Sequence, residues 1–141
     1  MLNQIYPCLW FDGKAQEAAK FYCSVFKNSK IISDNQTVVI FELNAKKFMG
    51  LNGGPQFKFN EAISLVVDCE TQEEIDHLWE NLTSDGGKEG NCGWLKDKFG
   101  VSWQIVPTIL PELLSNPEKA NNVMEAYMKM QKFDIEKLKN A

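Results

Sequence analysis

The chain writes one order of strand and helix patterns twice, and this repeat restricts its fold more than any other feature. The first pass opens on "IYPCLWF", a short apolar strand in which Tyr6, Cys8 and Trp10 share one parity. Asp12 follows as an N-cap candidate beside Gly13. In "KAQEAAKFYCSVF", Ala15, Ala18, Tyr22, Val25 and Phe26 fall on one helix face. Lys27 to Lys30 breaks that pattern, and "KIIS" reads as a short strand. "TVVIFEL" and "KKFMGLN" then flank "NA" as a hairpin, which "GGP" closes.

The second pass opens on "AISLVVD", where Ile63, Leu65 and Val67 alternate with Ala62, Ser64 and Val66. Thr71 and Glu74 form a capping-box pattern, and Ile75, Leu78, Trp79 and Leu82 supply the helix stripe. "DGG" stops that helix, and "NCGWL" and "VSWQIV" flank "KDKFG" as a second hairpin. The pattern predicts an α+β fold of tandem βαβββ modules, with eight strands and two main helices. The paired domain spans 1–111, with halves of about 1–55 and 60–108. A helical tail packed on the same domain is expected over 112–141. In it, Ser115 and Glu118 fit a capping box with Pro117 in the first turn. Val123, Tyr127 and Met130 share a stripe read as packing, and "FDIEKLKNA" makes a last short helix.

Composition excludes several classes of function. A chain of 141 residues can bury roughly two-thirds of its unfolded surface and needs no disulfide or metal staple. The net charge of -4, with no long basic run, argues against nucleic acid as a partner. "MLNQIYPCLWF" has no basic leader, and its apolar run is too short for a membrane span, so a cytoplasmic protein is expected. Cys8, Cys23, Cys69 and Cys92 show no C-x-x-C spacing and read as free thiols.

Metal and nucleophile chemistry also find little support. The sole histidine, His77, lies roughly 200° around the helix from Ile75 and faces solvent. A two-His-one-carboxylate iron site cannot be built from one histidine. Hard cations want several oxygens, and Glu42 is the only acid within a predicted core strand. The acids of "CETQEEID" sit at a helix start, where the dipole accounts for them. Cys8 lacks a histidine partner, and a thiol on a buried strand is inert packing more often than a nucleophile.

The most informative stretch is "DKFGVSWQIVP". Val101, Trp103 and Ile105 alternate with Ser102 and Gln104, so Gln104 faces either a cavity or solvent at a barrel mouth. Together with "CLWFDGKAQEAAKFYCSVF" and the tail "MKMQKFDIEKLKNA", this stretch resembles the PhnB-like branch of the vicinal oxygen chelate (glyoxalase/bleomycin-resistance) superfamily. Members of that branch often carry the label 3-demethylubiquinone-9 3-methyltransferase. A Rossmann-type methyltransferase would show a strand, a Gly-rich turn and a helix, whereas "LNGGPQF", the nearest match, follows a hairpin.

The resemblance implies two curled half-barrel sheets around a cavity, helices outside, and a homodimer. In the metal-dependent relatives, four inward positions on the first and last strands of each half are filled by His, Glu or Gln. Carried over, these positions fall on Tyr6, near Gly50, near Ala62 and on Gln104, and only Gln104 is a plausible ligand type. The expectation is a protein that binds a small molecule without metal or cofactor. Tyr6, Cys8, Trp10, Asn52, Ser64, Trp94, Ser102 and Gln104 are the candidate lining residues. A metal-dependent lyase, isomerase or dioxygenase, a bleomycin-resistance-like sequestering protein, and an assembly module with a filled cavity are the alternatives.

Overall fold

A computed structural model describes residues 3–141. The chain divides into two compact units, one ending at Phe59 and one spanning Asn60–Ala141. Each carries a four-stranded sheet with a helix on one face.

The first unit contains β1 (Cys8–Phe11), α1 (Ala15–Val25), β2 (Lys30–Asp34), β3 (Val38–Leu43) and β4 (Lys46–Asn52). The strand order is β1-β4-β3-β2; β1 runs parallel to β4 and the other pairs are antiparallel. Helix α1 buries Ala15, Ala18, Ala19, Tyr22 and Val25. The sheet face beneath it supplies Leu9, Phe11, Val39, Phe41 and Leu43, all buried. Small residues set the close approach of helix to sheet. A Cβ on Gly50 would stand 2.8 Å from Val39 Cγ1 and 3.3 Å from Ala15 Cβ, so a side chain there would push the layers apart.

The start of α1 differs from the sequence reading. Lys14, not Asp12, is the N-cap residue, and it makes no side-chain cap bond. The acceptor comes instead from β4: Asn52 Oδ1 accepts from the Ala15 N–H at 2.9 Å. Asn52 Nδ2 donates to Gln16 Oε1 and to the Gln36 carbonyl, each at 2.8 Å. One amide thus ties the end of the last strand to the start of the helix. At the far edge, β2 is exposed along its whole length and bulges between Ile31 and Ser33, an arrangement that blunts strand pairing.

The second unit contains β5 (Leu65–Cys69), α2 (Gln72–Leu82), β6 (Lys88–Glu89), β7 (Trp94–Lys96) and β8 (Ser102–Pro107), ordered β5-β8-β7-β6. The duplicated βαβββ order is therefore present in both units. The second opening strand starts at Leu65; Ala62 and Ile63 precede it in a turn, where Asn60 Oδ1 accepts from the Ala62 N–H at 2.8 Å. Alternation alone could not locate that boundary, because a turn residue held by a side chain has no apolar signature. The capping box at α2 forms as its spacing predicts, with Thr71 Oγ1 accepting from the Glu74 N–H at 3.1 Å. Ile75, Leu78, Trp79 and Leu82 are buried, and His77 is exposed.

The turn between β7 and β8 is organised by Asp97, a carboxylate only 2 % exposed. Its Oδ1 accepts from the Phe99 and Val101 N–H groups at 2.9 and 3.0 Å, and its Oδ2 from Trp103 Nε1 at 2.8 Å. Trp103 and Ile105 consequently lie buried on the α2 face of the sheet. Ser102, Gln104 and Val106 take the opposite face.

Three short helices complete the chain: α3 (Leu110–Ser115), α4 (Ala120–Met128) and α5 (Ile135–Lys139). The capping box expected at Ser115 does not form. Ser115 ends α3 and donates to the Glu112 carbonyl at 2.7 Å, while Asn116 Oδ1 accepts from the Glu118 N–H at 3.1 Å. Asn116 is extended, as a residue before proline prefers, and it separates α3 from α4. The last segment is fastened to α2 by Gln72, which donates to the Phe133 carbonyl at 2.9 Å and accepts from the Ile135 N–H at 2.8 Å. A Lys132–Asp76 ion pair at 2.8 Å stands beside it. Val123, Phe133 and Leu138 are buried there.

Two substitutions separate volume from hydrogen bonding at Trp103. Trp103→Ala empties core volume and should cost about 3–5 kcal/mol. Trp103→Phe keeps most of the ring and removes the Asp97 contact, for about 1–3 kcal/mol. Urea unfolding midpoints check both, and a Trp103→Phe midpoint equal to wild type would show that the Asp97 bond adds nothing.

Candidate functional site

Strand parity builds the site outward from β8. On the face turned away from α2, Gln104 pairs in register with Val66 of β5 and with Trp94 of β7. Gln104 Nε2 donates to Ser64 Oγ at 3.0 Å, just ahead of β5. Val66 is 57% exposed, so an apolar side chain on this face remains in contact with water. Two residues further along the ladder, Ser102 pairs with Lys96 and is 1% exposed.

A cavity of about 290 Å³ opens at the β6–β7 edge, lined by Glu61, Lys88, Glu89, Gly90, Trp94, Leu95, Lys96 and Ser102. Lys96 Nζ lies 2.5 Å from Glu61 Oε1. This hydrogen bond, and then the lysine's charge, hold the Glu61 carboxyl below its ordinary value. Glu89 also borders the cavity, with its Oε1 accepting from Trp79 Nε1 at 2.6 Å.

The four candidates of the second unit thus share one neighbourhood. Trp94 and Ser102 line the cavity, Gln104 stands across from Trp94, and Ser64 holds Gln104. In the first unit, Tyr6 precedes β1 and carries Lys47 Nζ 4.1 Å above its ring. Cys8 is exposed, and desolvation raises its thiol above the ordinary range. Trp10 donates from Nε1 to the Gly54 carbonyl at 2.9 Å and meets Phe57 edge-on at 5.0 Å. A Cβ on Gly53 would fall 2.3 Å from that indole, so the glycines of "LNGGPQF" form its seat. Asn52 is committed to the start of α1.

Register also places the four carried-over positions. Tyr6 lies ahead of β1 and Ala62 ahead of β5. Gly50 faces α1. The residue in β4 that matches Gln104 is Met49, because Cys8 pairs with Met49 and Val66 with Gln104, each three residues before the end of its parallel pair. Among the described residues, no three of His, Cys, Asp or Glu converge as a metal-binding group. Lys88, Lys96 and Glu61 carry no signal in the sequence, since strands of two and three residues and a turn are too short to show a period.

Residues 3–106 match the model of the family described as 3-demethylubiquinone-9 3-methyltransferase. Among solved structures, the chain is 35% identical to a PhnB protein from Bacillus cereus with the same family description, covering 75% of this chain and 100% of that one, with a TM-score of 0.68. A fosfomycin resistance protein, FosX, from Listeria monocytogenes, complexed with Mn(II) and sulfate ion, is 13% identical, covering 82% of this chain and 97% of that one, with a TM-score of 0.60. A glyoxalase/bleomycin resistance protein from Albidiferax ferrireducens is 12% identical, covering 72% and 95%, with a TM-score of 0.57. These last two share the fold. No curated protein matches the chain.

Thiol chemistry follows from the same geometry. Cys69 is buried, and burial first, then the charges of Glu74 and Asp68, push its thiol up to about 12. Iodoacetamide at pH 8 should therefore label Cys8 in the folded protein and reach Cys69 only after denaturation. Peptide mass spectrometry reads both sites, and native labelling of Cys69 at the rate of Cys8 would contradict this placement.

Proposed function

The chain belongs to the PhnB-like 3-demethylubiquinone-9 3-methyltransferase family of the vicinal oxygen chelate superfamily, and from that membership we propose that it binds a small, partly apolar molecule without a metal centre. The observation that carries this reading is the grouping of Trp94, Ser102, Gln104 and Ser64 at one cavity-bearing face of the second sheet. Trp94 offers a ring for apolar contact. Ser64 accepts from Gln104 Nε2, which leaves Gln104 Oε1 to accept from a ligand donor. An apolar wall with a few placed polar groups suits small-molecule recognition.

Support for a metal-free site comes from the donor set. Met49 stands where Gln104 stands in the other unit, Gly50 faces the helix, and Gln104 is a neutral amide already bonded to Ser64. These residues do not fit an ion that prefers imidazole and carboxylate. Methyl transfer, the chemistry in the family description, is not part of the proposal. The glycine-rich turn nearest to a methyl-donor loop is occupied by Trp10.

We place the protein in the cytoplasm as a homodimer; no helix among the described residues is long and apolar enough to cross a membrane. Ile31 and Ile32 on the exposed edge β2 offer apolar surface that a second copy would cover. Light scattering at micromolar concentration should report about twice 16.1 kDa, and a monomer would remove this part of the reading.

Native mass spectrometry of protein taken directly from cells tests the ligand. An organic adduct that survives desalting is expected, with elemental analysis finding no stoichiometric transition metal. A tightly held metal ion near one per chain would overturn the proposal. Gln104→Leu should leave the melting temperature close to wild type and weaken ligand binding by about 0.5–1.5 kcal/mol. Unchanged affinity in that variant would remove Gln104 from the site.

A further inference from the structure

Two lysines face each other across the β6–β7 pair. Lys88 and Lys96 are register partners in an antiparallel ladder, and both line the cavity. Like charges directly opposite one another repel and weaken a strand pair, here one whose edge strand is two residues long. Lys96 is answered by Glu61. Lys88 has no ion-pair partner among the described residues.

Ser102 supplies the second, independent observation. Its Oγ is buried, lines the same cavity and meets no hydrogen-bond partner among the described residues. A buried hydroxyl left unpartnered is uncommon in native proteins and points to a bonding partner from outside the chain. Ser102 is also the register partner of Lys96, so the hydroxyl and both ammonium groups belong to the same sheet face.

Glu61 shows what such a partner resembles. Its carboxylate reaches Lys96 from an exposed turn, with 62% of the side chain in solvent, so it can leave without disturbing the core. Glu89, the other acid at the cavity, bonds to Trp79.

Resting on the assignment of this face as a ligand site, we propose that the cavity takes a small molecule bearing a carboxylate or a phosphoryl or phosphonyl group. The anionic group displaces Glu61 from Lys96 and accepts hydrogen bonds from Lys88, Lys96 and Ser102. The apolar part of the molecule packs on Trp94. The anion relieves the Lys88–Lys96 repulsion and completes the Ser102 hydroxyl in one event.

Titration of the full-length protein with benzoate, phenylphosphonate and the uncharged isostere benzamide tests this by amide NMR, following Trp94, Lys96 and Ser102. At least one anion should give saturable shifts at these three amides, and the stronger of the two identifies the headgroup. Benzamide should bind at least tenfold more weakly. Glu61→Gln should tighten anion binding severalfold by removing the competing carboxylate, while Lys88→Met and Ser102→Ala should each weaken it severalfold. Lys88 and Glu61 are exposed, so those two variants keep the comparison valid even if Ser102→Ala unfolds. Equal binding of benzamide and the anions, with no effect of Glu61→Gln, would overturn the anion assignment while leaving a ligand site in place. No saturable shift from any of the three probes would overturn both.

Discussion

The buried carboxylate of Asp97 fixes the strand on which the second unit depends. By accepting from two turn amides and from the Trp103 indole, it determines which residues of β8 turn toward α2. A slip of one residue would exchange the two faces. Trp103 and Ile105 would leave the α2 face, and Gln104 would be buried beneath α2. The hydrophobic core and the polar face are thus settled by the same three hydrogen bonds. A charged acceptor suits this task because it holds several donors at once in a buried setting.

The first unit relies on a neutral amide for a comparable task. Asn52 closes the end of β4 onto the beginning of α1 and onto the turn before β3. The two units share strand order and parity but differ in what their faces carry. Met49 and Gln104 hold matching positions, one a thioether and the other an amide. The duplication has kept the backbone and let the chemistry of the halves diverge, which is why the candidate site resolves on the second sheet.

Much of this architecture is legible in the sequence wherever an element is periodic and locally capped. The α1 stripe, the Thr71–Glu74 box and the β8 alternation all belong to that kind. The features that were not legible depend on distant partners. The acceptor for Ala15 lies 37 residues away on Asn52, so Asp12 is the natural but incorrect choice from local sequence. Ser115 bonds backward into α3, a helix too short to announce itself by period. Of the candidate site, β8 alternation indicated Ser102 and Gln104. The Lys88–Lys96 pair needed strand register, which two residues cannot encode.

The fastening of the last segment has a consequence for synthesis on the ribosome. The loop leading into β7 donates from Cys92 and Gly93 to the Met130 and Gln131 carbonyls, and Gln72 grips Phe133 and Ile135. The sheet of the first unit needs nothing beyond Asn52 to finish its ladder. The second unit makes these further contacts only once residues 130–135 have left the exit tunnel. During translation, the Gly93 loop therefore stays without its Phe133 cover until that stretch has emerged.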